Sequence, residues 1–479
     1  MTTNPTIPLS APVKAVNIGA ELFAGALRAQ GVETMQLQWR PPPPELAAHQ
    51  PALAKLRGGK LAGRVAAANA RAVATLHAAD PWWIDMKPAI EVVPGLKKNM
   101  ILKSGPPLPW EKSCPTQQNG VVNGILHEGL ADTAEEAVEL IRKGRVEVAS
   151  ANDYAIVGPG AGILTPSMVV NVVEDRATGK RGFCAPFEGP NQGGLCGWGT
   201  YSPEIRRFLR ELNDTIGPLL SRILRAEGGI AVRPIITRGV EMGDETHTRQ
   251  DAEGLILINQ LLFLLMKHEP VPGAAREACV DFLEKTERFF HPIGMASAMA
   301  TTQSLKNIKD STVVTALCGN GVEYGIKVSA LGDRWFTAPA PRLTGMYLAS
   351  DAKADDTLPW IGDSSVLEAI GLGGFAAAAA PAVARLLGRT FGEAVAQSRE
   401  LAEICLAANR NFLVPALDYG GSPSGIDILK VIETGILPAI HGGMISKTGL
   451  RVGAGVARVP LACFSNAFET CVNQLIQIP

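Results

Sequence analysis

A short polar segment, RGVEMGDETHTRQDAEG at residues 238–254, concentrates the residue types that can carry out catalysis. Within eight positions it holds five ionisable side chains: Asp244, Glu245, His247, Arg249 and Asp251. In an α-helix, which repeats every ~3.6 residues, Asp244, His247 and Asp251 would share one face. Carboxylates that flank an imidazole can orient it, raise its basicity or help it to hold a cation.

These five residues are therefore candidate catalytic residues, with His247 as a general base or cation ligand that Asp244 or Asp251 positions. A structural interpretation also fits, because acidic residues at a helix start complement its dipole and His247 with Asp251 would form an i,i+4 pair. The following residues, LILINQLLFLLM, predict a buried helical body. A divalent cation stays an option only, since one histidine with carboxylates lacks a distinctive ligand spacing.

Four polar residues among strand-like segments at 319–341 form a second candidate site for substrate or anion binding. Arg334 could grip a carboxylate or phosphate with two hydrogen bonds, and turns are where ligand-facing polar groups concentrate. A structural Arg–Asp pair at a strand start explains the same residues. The four are Asn320, Glu323, Asp333 and Arg334.

Two glycine-rich turns, the first at residues 158–162 and the second at 371–374, could form backbone nests for an anion. Glycine also permits close packing of helices, which is the structural alternative. Near the second turn stands a polar loop with Asp363, and His441 precedes two glycines where the backbone can approach a ligand. The glycines assigned to anion binding are Gly158, Gly160, Gly162, Gly371, Gly373 and Gly374.

Composition narrows the class of protein. A chain of 479 residues should hold about two to four domains. A net charge of −1 argues against a nucleic-acid partner, and the start of the chain lacks an apolar signal core that would direct it to a membrane. The eight cysteines are scattered and form no CxxC motif. We therefore expect their side chains to be small buried apolar groups, in a protein of the reducing cytoplasm. No nucleophile motif is found.

The predicted helices and strands that must position these residues indicate a multidomain α/β protein. Residues 13–39 are typical of a strand, a helix and a strand, and they indicate a Rossmann-like N-terminal domain over 1–200, with an α+β subdomain possible from about 85. A mostly helical segment should cover 201–310, with helices at 203–225, 250–267 and 274–290. Mixed α+β structure should fill 311–479, including a helix from a Thr390 cap through Ala408.

Taken together, these blocks resemble the YlbE/AllG-like proteins, a family named for a subunit of oxamate carbamoyltransferase. The resemblance covers nearly the whole length. The family pattern has asparagines where this chain has Thr248 and Gln250. The matching segments are VNIGAELFAGALRAQGVETMQLQWRPP, SGPPLPWE, AIVGPGAGILTPSMVVNVVED, MGDETHTR, NGVEYGIKVSALGDRWFTAPAP, IGDSSVLEAIGLGGFA and PALDYGGSPSGIDILKVIETGILP.

The resemblance implies that a carbamoyl group passes between oxalurate and phosphate, giving oxamate and carbamoyl phosphate. Such a complex needs further subunits, one of them similar to succinyl-CoA synthetase, so a hetero- or homo-oligomer is expected. Arg249 and Arg334 would hold anions and His247 would move a proton. Two alternatives stay open: hydrolysis or ring opening of a small amide or ureide, and a non-catalytic scaffold that binds a CoA-ligase-like partner.

Overall fold

The computed structural model describes residues 13–37, 43–188, 194–271, 273–286, 288–348 and 354–476. The chain divides into two compact units, Met1–Ala48 and His49–Pro479. The mixed α/β class is confirmed, because helices and several small sheets alternate along the described residues. The predicted domain boundaries near residues 200 and 310, and the Rossmann-like N-terminal domain, stay predictions.

The first unit contains the predicted strand, helix and strand. Strand β1 (Lys14–Ile18) lies parallel to β2 (Glu33–Leu37), and α1 (Glu21–Ala29) connects them. The Asn17 amide donates to the Gln36 side chain over 2.6 Å across the two strands. Residues 38 and 39, which the second predicted strand included, lie outside the described part.

The second unit carries the remaining helices. In chain order they are α2 (Gln50–Leu56), α3 (Gly59–Ala78), α4 (Ala89–Val92), α5 (Pro115–His127), α6 (Ala134–Arg142), α7 (Leu195–Trp198), α8 (Pro203–Glu211), α9 (Gly217–Glu227), α10 (Arg233–Glu241), α11 (Asp251–His268), α12 (Ala274–Lys285), α13 (Phe290–Gln303), α14 (Val366–Ala369), α15 (Pro381–Leu386), α16 (Phe391–Ala402), α17 (Ile428–Thr434) and α18 (Leu461–Ile476).

The strands of this unit form five sheets among the described residues, with the orders β7-β6-β3-β8, β11-β10-β9-β13, β12-β17-β16, β14-β15 and β4-β5. Their bounds are β3 (Pro81–Pro88), β4 (Met100–Lys103), β5 (Glu147–Ser150), β6 (Val169–Asp175), β7 (Lys180–Cys184), β8 (Ile230–Ala231), β9 (Val314–Asn320), β10 (Glu323–Val328), β11 (Phe336–Pro339), β12 (Thr344–Tyr347), β13 (Ile361–Gly362), β14 (Cys405–Val414), β15 (Gly420–Ile426), β16 (Ala439–Ile445) and β17 (Arg451–Arg458).

Helix α13 packs in the middle of the largest apolar core. Its residues from Phe290 to Thr302 are all buried, and its small side chains let it lie close against β6 and β7. A Cβ atom at Gly182 on β7 would stand 2.2 Å from the Ala296 carbonyl oxygen, so only glycine permits this approach. The packing fixes the start of α13, where Arg288 and His291 lie.

Three predicted helices differ from the observed ones. The helix expected over 203–225 has its predicted Ser202 cap, which accepts the Ile205 amide over 3.2 Å, but a π-helical turn at Leu212–Ile216 separates α8 from α9. Pro218 lacks an N–H and interrupts the regular ladder there. The segment predicted as a helix over 274–290 ends at Lys285.

The third difference lies after Thr390, which caps α16 through Glu393 as predicted. That helix ends at Ala402, and the residues from Cys405 to Ala408 belong instead to β14, which pairs with β15. Residues 404–408 have a helical composition, but the pairing partner overrides it, as strand preference depends strongly on context.

Two further expectations concern the whole second unit. All eight cysteines are buried and form no disulfide, as their scattered positions predicted. A helix long and apolar enough to cross a membrane is not found in the described ranges.

Candidate functional site

A small cavity lies where several distant segments of the second unit converge. It encloses about 60 Å³, or about 540 Å³ with its open mouth. One buried water needs about 10–15 Å³, so the enclosed part suits a ligand of a few non-hydrogen atoms. The lining residues with polar side chains are His247, Thr248, Arg288, His291, Ser364 and Arg451. Apolar and glycine residues complete the wall, namely Pro159, Gly160, Phe187, Gly197, Trp198, Ile361, Gly442, Gly443 and Ile445.

The loop before α11 presents His247 to this cavity. The prediction that Asp244, His247 and Asp251 share a helical face is wrong, because the helix begins only at Asp251. The Glu245 carboxylate accepts the amide of His247 over 3.2 Å, that of Thr248, and that of Arg249 over 3.1 Å. The loop therefore closes around its own carboxylate instead of continuing the helix.

His247 is held by a carboxylate from another element, Glu368 on α14. The Nδ1 atom lies 2.9 Å from both Glu368 oxygens, and both side chains are buried. Among the described residues, no partner is found for the other ring nitrogen, Nε2. The Glu368 carboxylate accepts a hydrogen bond from the Nδ1–H group. In the neutral imidazole, the lone pair is therefore on Nε2. This arrangement can serve a general base.

The predicted anion nest at the second glycine turn is occupied by this same carboxylate. Glu368 accepts the Gly374 amide over 3.1 Å, and the Gly373 amide donates to the Glu245 carbonyl over 2.8 Å. At Gly373, with φ of +56°, a Cβ atom would lie 2.2 Å from a Glu368 oxygen. Gly371 packs on the Pro423 carbonyl oxygen. These three glycines support Glu368 and its surroundings and do not line the cavity.

Two guanidinium groups give the cavity a positive wall. Burial, and then the nearby Arg451, lower the pKa of Arg288 to about 9, and burial also lowers the pKa of Arg451. Among the described residues, no carboxylate lies within 4 Å of the Arg451 guanidinium. Two desolvated cations repel each other, and a bound anion would relieve this repulsion.

His291 faces the same wall in a neutral form. Burial, and then the charges of Arg288, His247 and Arg451, hold its pKa well below the usual value. Arg288 Nη2 lies 3.0 Å from His291 Nδ1, and since arginine can only donate, the proton of His291 sits on Nε2. His291 is therefore a hydrogen-bond donor for a ligand.

Thr248 adds a hydroxyl group to the cavity. Its side chain is buried, and no described group bonds to Oγ1. A buried hydroxyl without a partner is costly, which favours a role in contacting a ligand.

His441 supports the site without lining it. Its Nδ1 lies 3.7 Å from the Glu245 carboxylate, and its amide donates to Glu368 over 3.0 Å. Burial opposes ionisation of Glu245, but the close approach and charge of His441, followed by the charge of His247, still lower its pKa. His441 thus ties together the two carboxylates that hold the His247 loop.

The other predicted catalytic residues lie outside the cavity wall. Arg249 bonds Asp244 over 2.8 Å and Asp251 over 3.0 Å, while the second Asp244 oxygen accepts the Glu253 amide over 2.9 Å. Burial raises the pKa of Asp244 to about 6. These contacts cap the start of α11, as the structural interpretation predicted. The i,i+4 pair of His247 and Asp251 in that interpretation is wrong, because His247 bonds Glu368 and Asp251 bonds Arg249.

The second predicted site at 319–341 does not converge with His247. The Asn320 side chain accepts the Val322 and Glu323 amides over 3.0 and 2.7 Å, which closes a turn. Asp333 pairs with Lys306 over 2.7 Å. Arg334 is exposed and lies over the Phe336 ring at 5.2 Å. None of the four lines the cavity, so their positions do not support the predicted anion grip.

The first glycine turn contributes in part. Gly160 lines the cavity, whereas a Cβ atom at Gly162 would lie 2.5 Å from Ser104. The Gly158 amide donates to Asp363 over 3.2 Å, and the Gly105 amide does so over 2.7 Å. Burial raises the pKa of Asp363 to about 7. The group that accepts the amides of this turn is again a side chain of the protein.

Sequence reasoning missed four residues of the site: Glu368, Arg288, His291 and Arg451. The sequence feature that could have identified them is an ionisable residue inside an otherwise apolar or glycine-rich segment, as in VLEAIGLGG and RFFHPIGM. Such residues must be paired or functional once they are buried. In the described ranges, no group of three or more His, Cys, Asp or Glu is placed to hold a metal ion.

Comparison with known proteins places this geometry in a family. Residues 146–364 match the family described as "Oxamate carbamoyltransferase subunit AllG", a segment that includes His247, Arg288 and His291. The chain is 34% identical to a protein of Escherichia coli (strain K12) called uncharacterised protein YahG, over 96% of this chain and 97% of that one. It is 35% identical to the oxamate carbamoyltransferase subunit AllG of the same organism, over 86% and 98%.

A solved structure has the same fold. It is a conserved protein of unknown function from Enterococcus faecalis V583, with a TM-score of 0.83 and 31% identity. The match covers 87% of this chain and all of that one.

Proposed function

Because this chain belongs to the family of AllG-like proteins, we propose that it is a carbamoyltransferase-type enzyme that works as one subunit of a complex. Its substrates would be a small amide acid, such as oxamate or oxalurate, and phosphate or carbamoyl phosphate. The name of the AllG relative supports a transferase and a complex. The observation that carries the proposal is the half-buried pair of Arg288 and Arg451, which line the same cavity as His247.

The reaction brings two anions together. A phosphate oxygen attacks the carbamoyl carbon of oxalurate, and the bond from that carbon to the internal nitrogen breaks. The proton that the phosphate gives up passes to that nitrogen, so that carbamoyl phosphate and oxamate leave. No covalent enzyme intermediate is required, in agreement with a site that is built from bases and cations.

Five of the six polar side chains of the cavity, all except Ser364, have a role in this scheme. Arg288 and Arg451 would hold the phosphate and the substrate carboxylate, because guanidinium groups match both in geometry. His247 Nε2 would take the proton from phosphate and return it to the leaving nitrogen. His291 and Thr248 would donate to the oxygen on which negative charge develops.

Glu368 is a positioning residue in this proposal, since it contacts His247 and not the substrate. It holds the imidazole with its lone pair toward the cavity and stabilises the imidazolium that forms during proton transfer. Arg334 and Arg249, to which the sequence assigned anion binding, have no part in the revised scheme.

Hydrolysis of a small amide or ureide is the second candidate, because a water bound beside His247 could replace phosphate in the same cavity. The two reactions differ in one requirement. Transfer depends on phosphate or arsenate, whereas hydrolysis proceeds without either.

The test uses the purified full chain with oxalurate, with and without phosphate, and measures oxamate. Phosphate-dependent oxamate formation supports transfer, and equal rates without phosphate would reject it. Because a partner subunit could be required for turnover, titration calorimetry with carbamoyl phosphate is the second measurement. A non-catalytic scaffold predicts no heat, while the proposed site predicts binding that Arg451→Gln weakens.

A further inference from the structure

Helix α11 carries an apolar face that nothing in the described part of the chain covers. One side of the helix is buried in the core, through Leu257, Leu261 and Leu265. On the other side, four large apolar side chains are exposed at a spacing of three, four, seven and eight residues. They are Leu255 (69% exposed), Leu262 (39%), Phe263 (63%) and Met266 (59%).

A row of exposed apolar side chains on one helix face distinguishes α11 from the rest of the second unit. Its other exposed apolar side chains are single, such as Met242, Val322 and Leu450, or form at most a pair, as Met346 and Leu348 do at β12. Single exposed apolar residues are normal on a protein surface, but a continuous exposed apolar patch marks an interaction site.

The order of residues along this face is symmetric about its centre. Asn259 is exposed in the middle, with Leu255 four residues before it and Phe263 four residues after it. A twofold axis through Asn259 would pack Leu255 of one copy on Phe263 of the other, and the reverse pair would form at the same time. This is the arrangement of an isologous interface.

The ends of the helix favour the antiparallel arrangement that this axis requires. Asp251 at the first residue of α11 and Lys267 near the last have side chains that are 66% and 63% exposed, although each also has a partner in its own chain, Arg249 and Glu227 respectively. An antiparallel pair brings the acidic start of one helix toward the basic end of the other, and it opposes the two helix dipoles. A parallel pair would place like charges together.

We infer that two copies of this chain associate through the exposed face of α11, packed antiparallel around Asn259. The row Leu255, Asn259 and Phe263 is an i±4 ridge, and two such ridges interlock at a crossing angle of about 50° with the helix axes ~8–10 Å apart. The two Asn259 amides, each with donors and acceptors, would meet at the axis and fix the register. This interface is independent of the cavity and of the proposed reaction.

A cysteine placed on the axis provides a direct test. Asn259→Cys brings two thiols together in the proposed dimer, whereas Gln260→Cys places an equally exposed thiol about 100° further round the same helix. With a short bismaleimide, we expect the full chain to form a covalent dimer for Asn259→Cys and to remain without a cross-link for Gln260→Cys. The native cysteines are all buried and give a low background.

Equal cross-linking of the two variants, or none with either, would overturn the inference. Sedimentation velocity supplies an independent measurement. We expect the unmodified chain to sediment as a dimer, Phe263→Glu to shift it to monomer, and Gln260→Glu, with the same added charge, to leave it a dimer. A chain that is monomeric up to about 0.1 mM would equally reject the dimer.

Discussion

His247 Nδ1 lies 2.9 Å from each carboxylate oxygen of Glu368, although 121 residues separate the two in the chain. Both side chains are buried, and Glu368 also accepts the amides of Gly374 and His441. A buried carboxylate that orients an imidazole beside two guanidinium groups is the relationship on which the proposed chemistry depends.

His247→Ala should lower kcat about 100- to 10,000-fold, because it removes the proposed general base. Glu368→Gln should lower kcat by about 10-fold or more with little change in KM, since the anion contacts stay in place. The double variant should be no slower than His247→Ala alone. Steady-state kinetics of all three check this, and additive losses would show that Glu368 acts separately from His247.

Arg451→Gln should raise the KM for phosphate about 10- to 100-fold, which corresponds to about 1.5–3 kcal/mol for a hydrogen bond to a charged group. Arg334→Gln is the matched control, and it should leave both kcat and KM unchanged because Arg334 is exposed on Phe336. Initial rates measured over a range of phosphate concentrations give kcat and KM for both variants. If Arg334→Gln lost activity and Arg451→Gln did not, the assignment of the cavity would be wrong.

Gly373→Ala should destabilise the protein by more than about 2 kcal/mol, because the added Cβ would overlap a Glu368 oxygen at 2.2 Å and φ is +56°. Gly392→Ala in α16 is the control, since a Cβ there meets nothing within 4 Å. It should stabilise the helix by about 0.5–1 kcal/mol. Urea unfolding measures both free energies, and a similar effect of the two variants would contradict the contact.

Glu188, next to Phe187 in the cavity wall, predicts a pH-dependent stability. Its Oε1 accepts the Cys196 amide over 3.3 Å, no described group bonds to Oε2, and burial raises its pKa to about 8. An unfolded glutamate has a pKa near ~4.3, so the folded form binds an extra proton between the two values. The stability that Glu188 contributes is complete below about pH 4.3 and is lost as the pH rises to about 8.

Glu188→Gln cannot ionise and should escape this loss. The free energy of unfolding of Glu188→Gln, relative to the unmodified chain, should increase by up to about 1.4 kcal/mol per pH unit across that range. Denaturant unfolding at pH 5, 6, 7 and 8 measures the difference. A difference that stays constant with pH would show that Glu188 is not a buried, protonated acid.

Local patterns predicted the parts of the fold that local physics controls. The Ser202 and Thr390 caps and the strands after residue 311 follow from capping and alternation. The prediction that the body of α11 is buried was wrong for one side of the helix, where Leu255, Leu262, Phe263 and Met266 are exposed. Residues 404–408 were predicted wrongly, because their strand forms only through the pairing with β15.

The site was predictable only in part, for the same reason. His247 was identified from its acidic neighbours, yet its actual partner is Glu368, and the neighbours Asp244 and Asp251 cap a helix with Arg249. Spacing along a chain reports contacts within one element, and it carries no information on which distant carboxylate reaches an imidazole. The glycine turns were predicted as nests for a ligand anion, but the Gly158 and Gly374 amides donate to the Asp363 and Glu368 side chains instead.

The cavity wall draws on the loop before α11, the start of α13, the loop before α14 and the β16–β17 pair. This dispersion has a consequence for folding kinetics. Contacts between segments far apart in sequence form late, because the chain entropy of closing each long loop must be lost first. Refolding from denaturant should therefore restore helical circular dichroism well before catalytic competence, and partly folded molecules would expose an unmatched set of charges that slows their rearrangement.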